Sequence, residues 1–337
     1  MKAATHTQYG APRVMRTEDV APPTVADDQI LVQVHASTVT QGDRRLRAAD
    51  FPGAGAVLGR LMFGLRGPRN PIPGTNFAGK VVAIGKAVTR FAVGDKVFGG
   101  CGNGAHAEYL AVAEDSAVAE IPAGVEYEEA AAVPYGAGTA LKFMRDIAAV
   151  QPGDRVLVVG ASGGVGRFAV QIARHLGAHV TGVCSADKAE MVRRLGARAV
   201  IDYRREDYTQ KGETYDVIFD TASGDGFRAS KPSLSPQGRY VSLYMTLQIA
   251  FFMLWGAVFG GRKAAAGVVL GNRRLTEDVA ELLAEGAIWP VIGARFSLDH
   301  IADAHEALES GKLQGAVVVS VGDAAEGTDP ARASAAA

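Results

Sequence analysis

Hydrophobic and polar positions follow two different rules on either side of about Glu120. Before it, short runs alternate apolar with polar. Residues 30–36 (ILVQVHA) keep a period of two at several positions, which predicts a strand with one buried face. Residues 79–85 and 95–98 predict further short strands between Gly and polar turns. Residues 51–73 are rich in Gly, Pro and Arg and read as a long loop, with a short helix near 58–63.

After Glu120 the period changes. Residues 127–132 and 138–146 predict helices. Strand 156–159, helix 165–176, strand 179–184 and helix 188–195 then alternate, with strands 199–202, 215–219 and 239–243 behind them. Short apolar strands alternating with amphipathic helices predict an α/β fold around a doubly wound parallel sheet. Residues 268–270 are the candidate sixth strand. Beyond 271, helices over 276–285 and 301–310 flank 295–298, and 316–321 reads as a strand. The tail 323–337 is rich in Ala, Gly and Asp without an apolar period, and is expected to be disordered. No internal repeat is visible.

A chain of 337 residues suggests two domains. Its formal net charge of -1 sets up no strong overall field toward nucleic acid or an anionic membrane. With Cys101 and Cys184 alone, no disulfide framework can form, and a cytoplasmic setting fits. The N-terminus lacks the apolar core of a signal peptide. The apolar run 243–259 is short for a membrane span and contains Thr246 and Gln248; it reads as a buried or subunit-facing segment.

The candidate chemistry begins after Val159, where Gly160, Ala161, Ser162, Gly163, Gly164, Val165 and Gly166 link a strand to a helix. Glycines let the backbone approach a pyrophosphate, and the helix N-terminus offers it unpaired N–H groups. Ala161 departs from the usual fingerprint, standing where the first Gly is expected. The next strand ends Val183-Cys184-Ser185, without the carboxylate that binds the ribose 2′-hydroxyl in NAD enzymes, although Asp187 lies close beyond. Ser185 and Lys188 could instead meet a 2′-phosphate, as could Tyr203, Arg204 and Arg205 at the end of the third strand. This favours NADPH; the alternative, stronger for Arg205, is a solvated surface.

Several runs carry a family resemblance: 153–166 (GDRVLVVGASGGVG), 88–98 (VTRFAVGDKVF), 104–109 (GAHAEY), 130–134, 138–140 and 195–197. In this order they resemble the zinc-free quinone oxidoreductase group of the medium-chain dehydrogenase/reductase superfamily. The resemblance implies a β-rich GroES-like catalytic domain made from 1–123 and 271–322, with a Rossmann domain, 124–270, between them. It implies NADPH as cofactor, a homodimer, and a quinone or α,β-unsaturated carbonyl as small-molecule substrate. It also implies cofactor contacts at Thr139 and Leu243. Zinc-dependent relatives carry a Cys ligand where this chain has Thr40 and a His ligand where it has Thr75, and neither threonine is a normal zinc ligand. No metal is therefore expected, and His106 is expected to pack.

Without a metal, the developing oxyanion needs a donor or a nearby positive charge. Thr40, Asn76 and Tyr135 are the catalytic candidates, with Asp43 and Arg44 beside them; Asp43 could simply pair with a neighbouring Arg. Relatives in this group often carry Asn at the position of Thr40, and some carry Tyr at that of Arg45. The apolar and basic segment 51–69 is expected to border the substrate mouth. Two other readings stay open: a carbonyl reductase or alcohol dehydrogenase, and a nucleotide-binding protein without turnover.

Overall fold

The computed structural model describes residues 1–50, 55–222, 226–246, 248–253, 263–267, 269 and 271–322. They form two compact units. The first comprises Met1–Tyr135, Gly271–Ala284 and the chain from Trp289; the second comprises Gly136–Leu270 and Glu285–Ile288.

In the first unit, β1 (Lys2–Thr5) pairs antiparallel with β2 (Arg16–Asp19). The spine is β3 (Gln29–Val39), whose residues alternate buried and half-buried until Ala36, after which both faces are buried. α1 (Gln41–Ala48) and α2 (Gly55–Phe63) follow. β4 (Asn76–Ile84) and β6 (Tyr109–Ala113) both pair antiparallel with β3, while β5 (Lys96–Gly100) joins β4 to β7 (Val118–Glu120). Ile30, Val32, Phe77, Val81 and Val97 make one continuous core with Val317 and Val319 from the far end of the chain. α3 (Tyr127–Ala131) follows, and α4 (Pro134–Leu141) continues into a π-helical turn over Lys142–Ile147.

The second unit holds six parallel strands. They are β8 (Arg155–Val159), β9 (His179–Cys184), β10 (Ala199–Asp202), β11 (Tyr215–Asp220), β12 (Leu234–Ser242) and β13 (Lys263–Ala266), in the order β10-β9-β8-β11-β12-β13. This is the doubly wound dinucleotide-binding order. α5 (Gly164–His175), α6 (Ala189–Arg194) and α7 (Gly226–Ser230) lie on the connections. The chain then returns to the first unit through α8 (Arg273–Ala284), β14 (Ile292–Ser297), α9 (Ile301–Glu309) and β15 (Ala316–Ser320). There β15 closes antiparallel onto β3.

Several boundaries differ from the sequence reading. The sixth strand is Lys263–Ala266, not 268–270, of which Val268 and Leu270 lie outside the described residues. Its sequence, KAAA, has no apolar alternation; pairing with β12 alone makes it a strand. α4 starts at Pro134, four residues before the periodic stretch, because proline suits the first turn of a helix. α1 has no apolar period, and its signal is the capping pair Thr40-x-x-Asp43. β1, β2, β6 and β7 are too short to show a period. The tail 323–337 and residues 254–260 lie outside the described residues. No described helix is long and apolar enough to cross a membrane.

Candidate active site

The second unit carries a tight glycine-rich turn between β8 and α5. Gly160 has φ +79, in the left-handed region, and a Cβ there would lie 2.7 Å from Thr221 Oγ1. Thr221 holds this corner, its hydroxyl donating to the Val159 carbonyl at 2.8 Å. A Cβ on Gly166 would lie 2.1 Å from the Gly160 carbonyl oxygen, so only glycine lets α5 come so close. Gly163 caps α5 without a side-chain hydrogen bond, no acidic residue sits in its first turn, and a Cβ on Gly164 would meet nothing within 4 Å. A twelve-residue helix leaves its first-turn N–H groups without intrahelical partners and its positive end here, with open space beside Gly164, a donor set that fits a pyrophosphate. Ala161, the irregular residue of the motif, is fully buried. Its Cβ fits because β9 supplies Gly182 opposite, where a Cβ would come within 3.0 Å of it.

α4 packs directly on this helix: a Cβ on Gly136 would lie 2.6 Å from the Gly164 carbonyl oxygen. Thr139 sits half-buried three residues on. Leu243 follows β12, and its N–H donates at 3.2 Å to the carbonyl of Asp220, next to Thr221. At the tips of β9 and β10, Ser185 is buried and Tyr203 exposed. Arg204 places Nη1 3.7 Å from Asp187 Oδ1 and its guanidinium 5.7 Å from the Tyr203 ring. A hydrogen bond from Ser185, then the charges of Lys188 and Arg204, hold the Asp187 carboxyl below its ordinary pKa. Ser185, Lys188 and Tyr203 thus share their site with an ionised carboxylate and its arginine. Arg205 points to Asp202 instead, at 3.7 Å.

The first unit carries a second polar cluster around the start of α1. Asp43, fully buried, accepts on one oxygen from the Thr40 N–H at 2.7 Å, the Thr40 hydroxyl at 2.6 Å and the Thr75 hydroxyl at 3.2 Å. The Asp43 N–H donates back to Thr40 Oγ1 at 3.2 Å, completing a capping box. Asp43 therefore does not pair with a neighbouring arginine; Arg44 binds Asp50 at 3.0 Å. A Cβ on Gly42 would lie 3.2 Å from Thr40 Oγ1 and 3.4 Å from Tyr135 Cε2, so the Tyr135 ring lies over this first turn, with 36% of the residue exposed. Asn76 is buried at 2% exposure, and its amide donates to Thr38 Oγ1 at 3.0 Å. Thr40, Thr75 and Tyr135 are thus brought together, while Asn76 lies beneath them in the sheet.

Thr40 and Thr75, the positions that the sequence resemblance matches to zinc ligands, lie 3.4 Å apart, oxygen to oxygen. Two hydroxyls sharing one carboxylate oxygen do not fit a zinc ion. Among the described residues no group of three His, Cys, Asp or Glu side chains could hold a metal. Burial and the nearby Asp43 push the Cys101 thiol up to about 12. His106 is fully buried, with Nε2 3.2 Å from the Thr38 carbonyl oxygen, and burial lowers its pKa. Thr75 as a partner of Asp43 escaped sequence reasoning, since nothing local joins residues 32 positions apart.

A family model described as alcohol dehydrogenase GroES-like domain matches residues 26–123, and one described as zinc-binding dehydrogenase matches 195–319. The chain is 31% identical over 333 residues to a 2-methylene-furan-3-one reductase of Solanum lycopersicum, covering 95% of this chain and 79% of that one. It is 28% identical over 333 residues to a chloroplastic NADPH-dependent alkenal/one oxidoreductase of Arabidopsis thaliana, with the same coverage. Among solved structures, the quinone oxidoreductase of Coxiella burnetii superposes with a TM-score of 0.84 at 28% identity, over 96% of this chain and 99% of that one.

Proposed function

The chain belongs to the quinone oxidoreductase-like group of the medium-chain dehydrogenase/reductase superfamily, an oxidoreductase with a nicotinamide cofactor, and we propose that it reduces α,β-unsaturated carbonyl compounds or quinones with NADPH and without zinc. The observation that carries the proposal is the closure of Thr40 and Thr75 onto Asp43: at the two positions that the resemblance matches to zinc ligands stand hydroxyls that both donate to one carboxylate oxygen.

A bound nicotinamide supplies hydride to the electrophilic carbon. The protein's part is to bind that cofactor on the α5 N-terminus and to provide a proton at the substrate oxygen. Thr40 is poorly suited to give that proton, since its one hydrogen points to Asp43. It retains acceptor capacity, which suits a hydroxyl of the ligand. Tyr135, partly exposed over the same turn, is the proposed proton donor to the developing enolate or phenolate oxygen. Asn76 acts as a positioning residue through Thr38. Thr139 and Leu243 are proposed to contact the nicotinamide end, and Ser185, Lys188, Tyr203 and Arg204 the 2′-phosphate.

NADPH over NADH is supported by Lys188 and Arg204 at the strand tips and by the cofactor in the Arabidopsis relative's name. Arg204→Ala should raise the KM for NADPH about tenfold, the loss of one charge-assisted contact, and leave that for NADH unchanged. Two unbridged thiols suit a reducing compartment, and exposed Met245 and Phe251 suit a subunit contact, so the proposal includes a cytoplasmic homodimer.

The test is NADPH oxidation against a panel of enones, quinones and aldehydes. Turnover of enones or quinones is expected. Turnover of aldehydes alone would make the protein a carbonyl reductase, and tight NADPH binding without turnover on the panel would make it a non-catalytic binder.

A further inference from the structure

From Phe51 to Gly94 the chain contains no Asp or Glu, but it contains Arg60, Arg66 and Arg69. These three arginines are exposed, and so are Leu61, Met62 and Leu65, at 51%, 57% and 65%. Ten residues thus present three cations and three large apolar side chains to solvent. The segment is held firmly in this form. Tyr9 donates its hydroxyl to the Gly64 carbonyl at 2.8 Å, and the Arg69 N–H donates to the Phe63 carbonyl at 2.8 Å. A Cβ on Gly67 would come within 2.3 Å of the Thr7 carbonyl oxygen, so the turn seats directly on the N-terminal strand region.

The charges are not neutralised locally. Arg60 lies 5.6 Å over the Tyr9 ring, and Arg69 donates to the Leu61 carbonyl at 2.9 Å, both neutral partners. Among the described residues none of the three guanidinium groups pairs with a carboxylate, and the adjacent Asp50 is taken by Arg44. Apolar side chains interleaved with unpaired cations on a fixed turn match an interface that is apolar inside and anionic at its edge.

We propose that this lobe, α2 and the turn after it, docks the protein on the surface of an anionic lipid bilayer. Leu61, Met62 and Leu65 enter the boundary between headgroups and acyl chains, and the three arginines meet lipid phosphates. The anchor is reversible: each arginine contributes about a fivefold gain in binding, and screening by salt weakens it. The inference stands apart from the proposed reaction, since docking needs no turnover; a lipid-soluble substrate would give it purpose.

The experiment is co-sedimentation of the full chain with vesicles of phosphatidylcholine alone or with 30% phosphatidylserine (about one anionic lipid in three), at low and high salt. Binding is expected only to the anionic vesicles and should fall as salt rises. Combined R60E, R66E and R69E should lower it by roughly a hundredfold, and combined L61S, M62S and L65S should also weaken it, with unfolding midpoints checked to show that both variants fold. No binding to anionic vesicles would overturn the proposal. So would binding that ignores the apolar substitutions, which would mark a site for soluble polyanions. Binding unchanged by the charge reversal would place the contact elsewhere and overturn it too.

Discussion

Asp43 takes both the N–H and the hydroxyl of Thr40 on a single carboxylate oxygen, at 2.7 and 2.6 Å. The same oxygen receives Thr75, so the group joins the start of α1 to the strand entry at β4. Replacing Asp43 by Ala removes a cap and leaves hydroxyl and amide donors without their acceptor. The expected loss is about 3 kcal/mol of unfolding free energy, read from urea denaturation, with Asp43→Asn losing less. A loss under about 0.5 kcal/mol would show that the cluster does not hold the turn.

The two hydroxyls of the site should separate cleanly in kinetics. Tyr135→Phe is expected to lower kcat by about a hundredfold at unchanged cofactor affinity. Thr40→Ala should cost about 1 kcal/mol of stability as a lost cap and change kcat by less than about fivefold. The reverse pattern would assign the proton to Thr40.

Ala161 and Gly182 should couple. Gly182→Ala puts a Cβ within 3.0 Å of Ala161 Cβ and 2.6 Å of Val192 Cγ1, an overpacking of about 2 kcal/mol. Ala161→Gly in the same chain removes one of the two clashes and should restore about half of the loss. A double-mutant cycle with no coupling energy would contradict this packing.

Acid should unfold the first unit early. His6, His106 and His305 are buried, and burial is the leading cause that lowers each of their pKa values; the charge of Arg47 also opposes protonation of His6 and His305. In the unfolded chain each takes a proton near about pH 6.5. At neutral pH and above, neither state is protonated, and these groups do not affect stability. Below about 6.5 the unfolded state binds protons that the folded state refuses, so stability falls by up to about 1.4 kcal/mol per pH unit for each histidine. Urea midpoints at several pH values should show this slope, and His305→Leu should flatten it by about one proton; a flat profile between pH 7 and about pH 5 would refute it.

The alternating unit was readable because its strands are short, apolar and separated by amphipathic helices. Strands 156–159, 179–184 and 199–202 fall within a residue of β8, β9 and β10. What escaped was structure without a hydrophobic period. β13 is mostly alanine at a sheet edge, and α1 is a polar helix, RRLR in its last turns, fixed by its cap and by packing. The glycine loop was legible because a tight strand-to-helix turn demands glycines in one local run, whereas the Gly182 that accommodates Ala161 sits on the next strand, where no local rule points to it. The Asp43 cluster was half legible. Its capping pair is local, but Thr75 reaches it only through the pairing of β3 with β4.

Metal-free reduction by a nicotinamide cofactor is tested by a steady-state assay of an enone and a quinone with NADPH, on protein stripped with a chelator and assayed for bound zinc. Turnover is expected to survive removal of zinc and not to rise when zinc is added back. Loss of activity on chelation with recovery on added zinc would contradict it.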